Sequence, residues 1–259
     1  MGHFKDTLKE IEADPNARVV LMGDYCEFIN YTDKRFDVSQ IDPEFLPHLA
    51  DLPRTMAKKF SEMVMPLAKK KRIIGAIPGN HENKIRDKYH QDITAIICER
   101  LNVPLGAQVT QLRLRVRDGD DLQSCHSYRI KGVVSHAEKN AITAGGKLTA
   151  AERMADYYGS HSFFAQAHTH EYLVHDVRGL DVGGAFGDPR IQDRPYLVLL
   201  TGGYLKTYGP GVSGYGERKG YRPCKLGSPR LQVRMNRTSR RDPITDEHKS
   251  VDKIEMNGR

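Results

Sequence analysis

Four short stretches of this 259-residue chain bring together side chains able to hold metal ions: Gly23-Asp24, Gly79-Asn80-His81-Glu82, His136, and His168-Thr169-His170. Ions that activate water take oxygen and imidazole donors, and a pair of them about 3.5–4 Å apart needs one shared carboxylate to bridge two positive charges. Asp24 is the obvious bridge. His168 and His170 are two positions apart, so in an extended segment their rings point the same way and reach neighbouring ions. Taken singly, a Gly-Asp pair is also ordinary turn chemistry, and two histidines also fit the exposed end of a strand.

Each stretch follows an apolar run. Phe4, Leu8 and Ile11 recur at helical spacing, and Arg18 to Met22 then reads as a short buried strand ending at Gly23-Asp24. A helix over about 54–70 leads into a strand over 72–77, which stops at Pro78-Gly79 and delivers Asn80, His81 and Glu82. After a helix near 91–101, alternation over 109–116 and 127–135 predicts two strands around the turn residues Asp118-Gly119-Asp120, the second delivering His136. A helix over 147–157 and strands over 163–167 and 196–200 complete the pattern. Open α/β sheets place functional groups at the carboxyl ends of their strands, so these loops are expected on one face.

This ordered series resembles the calcineurin-like metallophosphoesterase family, whose pattern is DxH, then GD, then GNH followed by Glu or Asp, then His, then GHxH. Four of those blocks stand in this sequence, over Val19 to about Gly203, with Ala167 where the last Gly is usual and Glu27 as the acidic residue three places after Asp24. The resemblance implies an α/β fold, an αββα four-layer sandwich of two mixed sheets flanked by helices. It implies Asp24 as bridge, Asn80, His136 and His168 as ligands of one metal, and His170 as a ligand of the other. His81 would be catalytic, donating to the phosphoryl group or the leaving oxygen while metal-activated hydroxide attacks in line, and Glu82 would orient His81 or its loop. Asn80 and His81 would also touch substrate. One acid, one amide and several imidazoles suit two divalent transition-metal ions, with Mn2+ expected and Fe, Zn2+, Ni2+ or Mg2+ as other occupants.

The departure from the family is its first block: upstream of Asp24 there are Asp6, Asp14 and His3 but no DxH. The family's DxH is commonly followed by x-Gly, and this chain opens Met1-Gly2-His3, so the missing Asp and His are expected just upstream of Met1. A deliberately incomplete site is the other reading. Gly145 and Gly146, ahead of Lys147 at a helix start, offer backbone N–H groups to an anion, and the same residues also read as a plain connection. Lys139 and Asn140 are further substrate-contact candidates, whereas His48, His90, His126, His161 and His175 have no motif context. Tyr204, Tyr208, Tyr215 and Tyr221, interleaved with Lys206, Arg218, Lys219 and Arg222, suit base stacking and phosphate contact, or a loop packed on the fold.

Residues 1–235 are expected as one phosphoesterase domain and 236–259, sparse in apolar residues, as a charged and flexible tail. Four scattered cysteines without a CxxC pair argue against a zinc ribbon or disulfide framework, and no run approaches the ~20 apolar residues of a membrane span. A cytoplasmic protein without membrane association is expected. Forty Lys and Arg against 33 Asp and Glu, a net charge of +7, favour phosphate-ester substrates and nucleic acid as partners. Phosphodiester hydrolysis is the leading expectation. The alternatives are a catalytically impaired metal- or nucleic-acid-binding module and a phosphomonoesterase or protein phosphatase. Oligomeric state is open.

Overall fold

The computed structural model describes residues 2–28, 36, 38–117, 127–138, 141–185, 188–204, 208, 220, 223, 225–241 and 248–258, with backbone only at 40, 184–185, 188, 235–241, 248–255 and 257. Helix α1 (Gly2–Ala13) leads into strand β1 (Val19–Leu21), and two short 3-10 segments (Val38–Gln40 and Pro43–Asp51) precede α2 (Leu52–Lys69). Strand β2 (Ile73–Ala76), α3 (Asn80–Tyr89) and α4 (Ile93–Leu101) follow. The rest is β3 (Val109–Arg117), β4 (Ser127–His136), α5 (Ala144–Tyr158), β5 (Phe163–Ala167), β6 (Leu173–Ala185), β7 (Asp188–Leu200), β8 (Leu231–Arg241) and β9 (His248–Gly258).

The molecule is mixed α/β. Strands β1 and β2 pair in parallel, and β3-β4-β5-β7-β6 form a five-stranded sheet in which β4, β5 and β7 run parallel while β3 and β6 are antiparallel edges. A separate antiparallel pair joins β8 to β9. The two-residue period of the strands divides the apolar side chains between faces. In β5 and β7, Phe163, Ala165, Leu197 and Leu199 fall into one cluster with Val20 and Met22, whereas Phe164, Tyr196, Val198 and Leu200 fall into another with Ala151 and Met154 of α5. A third cluster packs Phe4, Leu8 and Ile11 of α1 with Phe60 and Val64 of α2, Ile97 of α4 and Ile73 of β2. Among the described residues no helix is long and apolar enough to cross a membrane.

Several elements differ from the sequence expectations. Asn80 and His81, expected on a loop, open α3, because Gly79 takes the N-cap position and Glu82 at the third helical place bonds back to its N–H. The residues from 236, expected as a loose tail, have their backbone in the β8–β9 ribbon. Leu231 opposes Gly258, Val233 opposes Met256 and Met235 opposes Ile254 there, and Leu231, Val233 and Met256 reach the inter-strand apolar cluster. The turn residues Asp118-Gly119-Asp120 lie outside the described residues.

Gly132 of β4 lies against its register partner Phe163: a Cβ there would meet three ring carbons at 2.0, 2.3 and 2.4 Å. Gly132→Ala is therefore expected to displace that buried ring and lower stability by about 1–3 kcal/mol, the usual cost of overpacking. Urea unfolding should show a lower midpoint with an unchanged slope. An unchanged midpoint would mean that the ring does not depend on the absent side chain.

Candidate metal centre

Two loop ends cross beneath the site. Gly23, at φ +82°, lies so close to Gly79 that a Cβ on it would meet the Gly79 nitrogen at 2.4 Å and Cα at 2.5 Å. A Cβ on Gly79 would in turn meet the Asp24 nitrogen and Oδ1, each at 2.3 Å. Neither position has room for a side chain. The buried Glu82 carboxylate ties the crossing together: Oε2 accepts from the N–H of Gly79 at 2.8 Å and of Asp24 at 2.9 Å, while Oε1 accepts from the N–H of Tyr25 at 2.9 Å. The Tyr25 hydroxyl donates to the Ile77 carbonyl at 2.6 Å, joining the ends of β1 and β2. Burial, followed by the Asp24 charge, raises the Glu82 pKa against the opposing pull of those three N–H groups.

This frame leaves Asp24 at φ 52°, a left-handed conformation uncommon outside glycine that costs of order 1–3 kcal/mol where it is imposed. Its Oδ1 accepts from the His81 N–H at 3.1 Å, at the N-terminus of α3. Its Oδ2 lies 3.2 Å from His136 Nε2 and 3.6 Å from His168 Nδ1. The ligand atoms of Asp24, His136 and His168 all lie within 4.8 Å of one another. With metal–ligand bonds of about 2.0–2.2 Å, such atoms belong to one coordination shell.

The fourth donor is Asn80. One atom of its amide sits 3.2 Å from His136 Nε2, 3.0 Å from Asp24 Oδ2 and 2.9 Å from His168 Nδ1. With oxygen at that point, four lone-pair donors face each other with no proton among them, as they would around a cation. With nitrogen there instead, the amide donates to the other three. His136 is fixed by its second nitrogen: Nδ1–H donates to the Met22 carbonyl at 2.7 Å, so Nε2 is the nitrogen offered to the site. These residues fit a single divalent cation. Burial raises the Asp24 pKa, but contact with His136 and then His168 outweighs it and holds the carboxyl far below the usual range. Burial lowers His136 and the Asp24 carboxylate raises it, with a net upward shift.

The other expected residues are placed as follows. His170 (φ 48°) stands at the exposed edge with its ring centroid 6.2 Å from that of His168. It is not part of the Asp24–His136–His168 group. His81 Nδ1 lies 3.3 Å from the Cys26 carbonyl and 4.0 Å from Glu27 Oε2. Glu82 bonds backbone of the loops, so of its two expected tasks it performs the positioning of the loop. The Gly146 N–H is spent on the Thr143 hydroxyl that caps α5, at 3.1 Å, leaving the expected Gly145–Gly146 anion site without that donor. Lys147 pairs with Glu171 at 3.2 Å, next to His170. Tyr204 stacks edge-on against Phe4, with centroids 5.1 Å apart, and so belongs to the packing. Lys139, Asn140, Lys206, Tyr215, Arg218, Lys219, Tyr221 and Arg222 lie outside the described residues.

Sequence reasoning missed Gln108. Its side-chain amide donates to the His136 carbonyl at 2.9 Å and accepts from Asn83 of α3 at 3.2 Å, while its own carbonyl accepts the His136 N–H at 3.0 Å. It thereby ties the end of β4 to α3, and no motif marks it. Cys26 is half-buried beneath the same loop, and desolvation, followed by the Glu82 charge, pushes its thiol pKa up to about 12.

Glu82→Gln keeps the shape of the clasp but turns an amide N–H toward backbone N–H groups. It is expected to cost about 1–3 kcal/mol in urea unfolding, the penalty for an unsatisfied buried donor. Wild-type stability in that variant would show that the carboxylate does not gather the loops. No family model, no curated protein and no solved structure matches this chain.

Proposed function

We propose that this protein is a metal-dependent phosphoesterase of the two-metal, calcineurin-like class, hydrolysing phosphodiesters in preference to phosphomonoesters. The observation that carries this reading is the meeting of one carboxylate, one amide and two imidazoles, from Asp24, Asn80, His136 and His168, delivered by four separate chain segments to one point. The three apolar clusters support the finer fold. They follow the order helices, two-stranded sheet, five-stranded sheet, helix, as an αββα sandwich requires.

Divalent ions bound here, Mn2+ best suited to the donors and Fe, Zn2+, Ni2+ or Mg2+ as other occupants, would lower the pKa of water and offset charge on phosphoryl oxygens. The protein's own groups supply the rest. Asp24 contributes a carboxylate whose Oδ2 faces the His136 and His168 rings and whose Oδ1 accepts the His81 N–H, and His170 stands beside the first ligand group for the other ion. His81 lies in the first turn of α3, where the helix dipole favours negative charge, so a phosphoryl group is drawn towards it. Its ring would donate to that group or to the leaving oxygen, with Glu27 and the Cys26 carbonyl beside Nδ1 to orient it. The preference for diesters rests on the net charge of +7.

A metal-binding module without turnover is the second reading. It is favoured by the fact that the described residues supply one full ligand group, with only Asp24 and His170 towards a second.

Calorimetric titration with Mn2+ and turnover of bis(p-nitrophenyl) phosphate test both readings. The wild type is expected to bind Mn2+ and hydrolyse the diester, while Asp24→Asn and His136→Ala lose both. His81→Ala should keep Mn2+ binding and lower kcat by about 10²–10⁴-fold, the usual worth of a positioned acid. Absence of Mn2+ binding overturns the site, and Mn2+ binding without turnover of diesters or monoesters leaves the module.

A further inference from the structure

The ribbon of β3 and β4 has one apolar face and one cationic face. Leu112, Leu114, Val116 and Ile130 pack inward, while Arg113, Arg115, Arg117, Arg129 and Lys131 are all exposed on the other side. The antiparallel register sets Arg113 directly opposite Lys131 and Arg115 directly opposite Arg129. Like charges in that relation destabilise a ribbon, and guanidinium groups cannot relieve the repulsion by losing a proton. Among the described residues, none of the five has a carboxylate partner. Asp118, Asp120 and Asp121 follow Arg117 in the chain and lie outside the described residues.

At its other end the cationic face runs into a cleft of about 280 Å3, with Gln111, Arg113 and Lys131 on the ribbon side and Tyr158, Ser160 and His161 opposite. The Ser160 hydroxyl donates to the Asp181 carboxylate at 2.9 Å, which also accepts the Val182 N–H at 2.9 Å.

We propose that this face of the β3–β4 ribbon, with its cleft, binds a single strand of nucleic acid. Alternate residues on a strand stand about 7 Å apart, so Arg113, Arg115 and Arg117 form a row about 14 Å long with the β4 cations beside it. Such a row matches a chain of phosphates, each of which takes a planar guanidinium in a two-pronged bond. The two columns are about 5 Å apart and end in a recess, a form that follows one strand rather than a flat bilayer. His136 lies five residues after Lys131 on β4, an odd spacing that sends its side chain to the opposite face of the sheet, so this surface is separate from the metal centre. The surface itself does not depend on the phosphoesterase reading.

The test is fluorescence anisotropy of a labelled single-stranded DNA of about 20 nucleotides, in EDTA so that hydrolysis and metal play no part, across about 50–200 mM KCl. Wild-type protein is expected to bind, with affinity falling steeply as salt rises. Each phosphate contact on a single strand contributes about 0.7 to the log–log salt slope, so Arg113→Gln with Arg129→Gln should reduce the slope by about 1.4. The same variant should weaken binding at the lowest salt by about tenfold or more. Its melting temperature should match or exceed the wild-type value, since one member of each repelling pair is gone. Lys58→Ala with Lys69→Ala on α2 removes the same charge elsewhere and should leave the slope unchanged. The proposal is overturned if the wild type does not bind, if both variants lose affinity equally, or if phosphatidylserine vesicles displace the DNA. Failure here would leave Mn2+ binding untouched, and failure of Mn2+ binding would leave this surface standing.

Discussion

One carboxylate holds the site in shape. Glu82 collects N–H groups from Gly79, Asp24 and Tyr25, which belong to two loops far apart in the chain, and it does so where Gly23 and Gly79 are in van der Waals contact. Backbone N–H groups buried without partners are costly, and here their satisfaction also determines where the Asp24 side chain points. The clasp holds the Asp24 backbone in its left-handed conformation, which aspartate tolerates better than most residues with a side chain. Asp24, the carboxylate of the candidate ligand group, thus inherits its position from a second, buried acid.

The same economy extends outward. Met22 supplies a carbonyl that orients His136, and the Met22 side chain packs in the apolar cluster shared with the five-stranded sheet. Gln108 couples the end of β4 to α3. Imidazole orientation, strand pairing and core packing are therefore set by the same few residues around the ends of β1, β2 and β4. A metal centre formed by such distant segments needs that degree of preorganisation, because each ligand arrives independently.

Much of this was readable from residue patterns. The runs 18–22, 72–77, 127–135 and 163–167 are short, apolar and closed by glycine or histidine, and all correspond to strands that deliver site residues. Asn80 and His81 lie beside Asp24 but at the start of α3 instead of on the expected loop, since the helix-starting role of Gly79 and Glu82 is hidden by their membership of a metal motif. The β8–β9 ribbon went unseen because its dense charges masked the alternation of Leu231, Val233 and Met235. β6 and the outer half of β7 were missed for a related reason: Leu180, Val182 and Ile191 are 70%, 72% and 76% exposed, so this hairpin lacks the buried face that makes a strand legible. Gln108 could not be found at all, because its role arises from three hydrogen bonds that no local spacing encodes.

The half-buried Cys26 thiol is a reporter on the loop. Its carbonyl lies against the His81 ring and its sulfur is held where the thiolate is strongly disfavoured. An alkylating reagent attacks the thiolate, so modification speeds up whenever the segment after Asp24 swings away from α2. The rate at which this cysteine is labelled therefore measures how often the clasp comes undone.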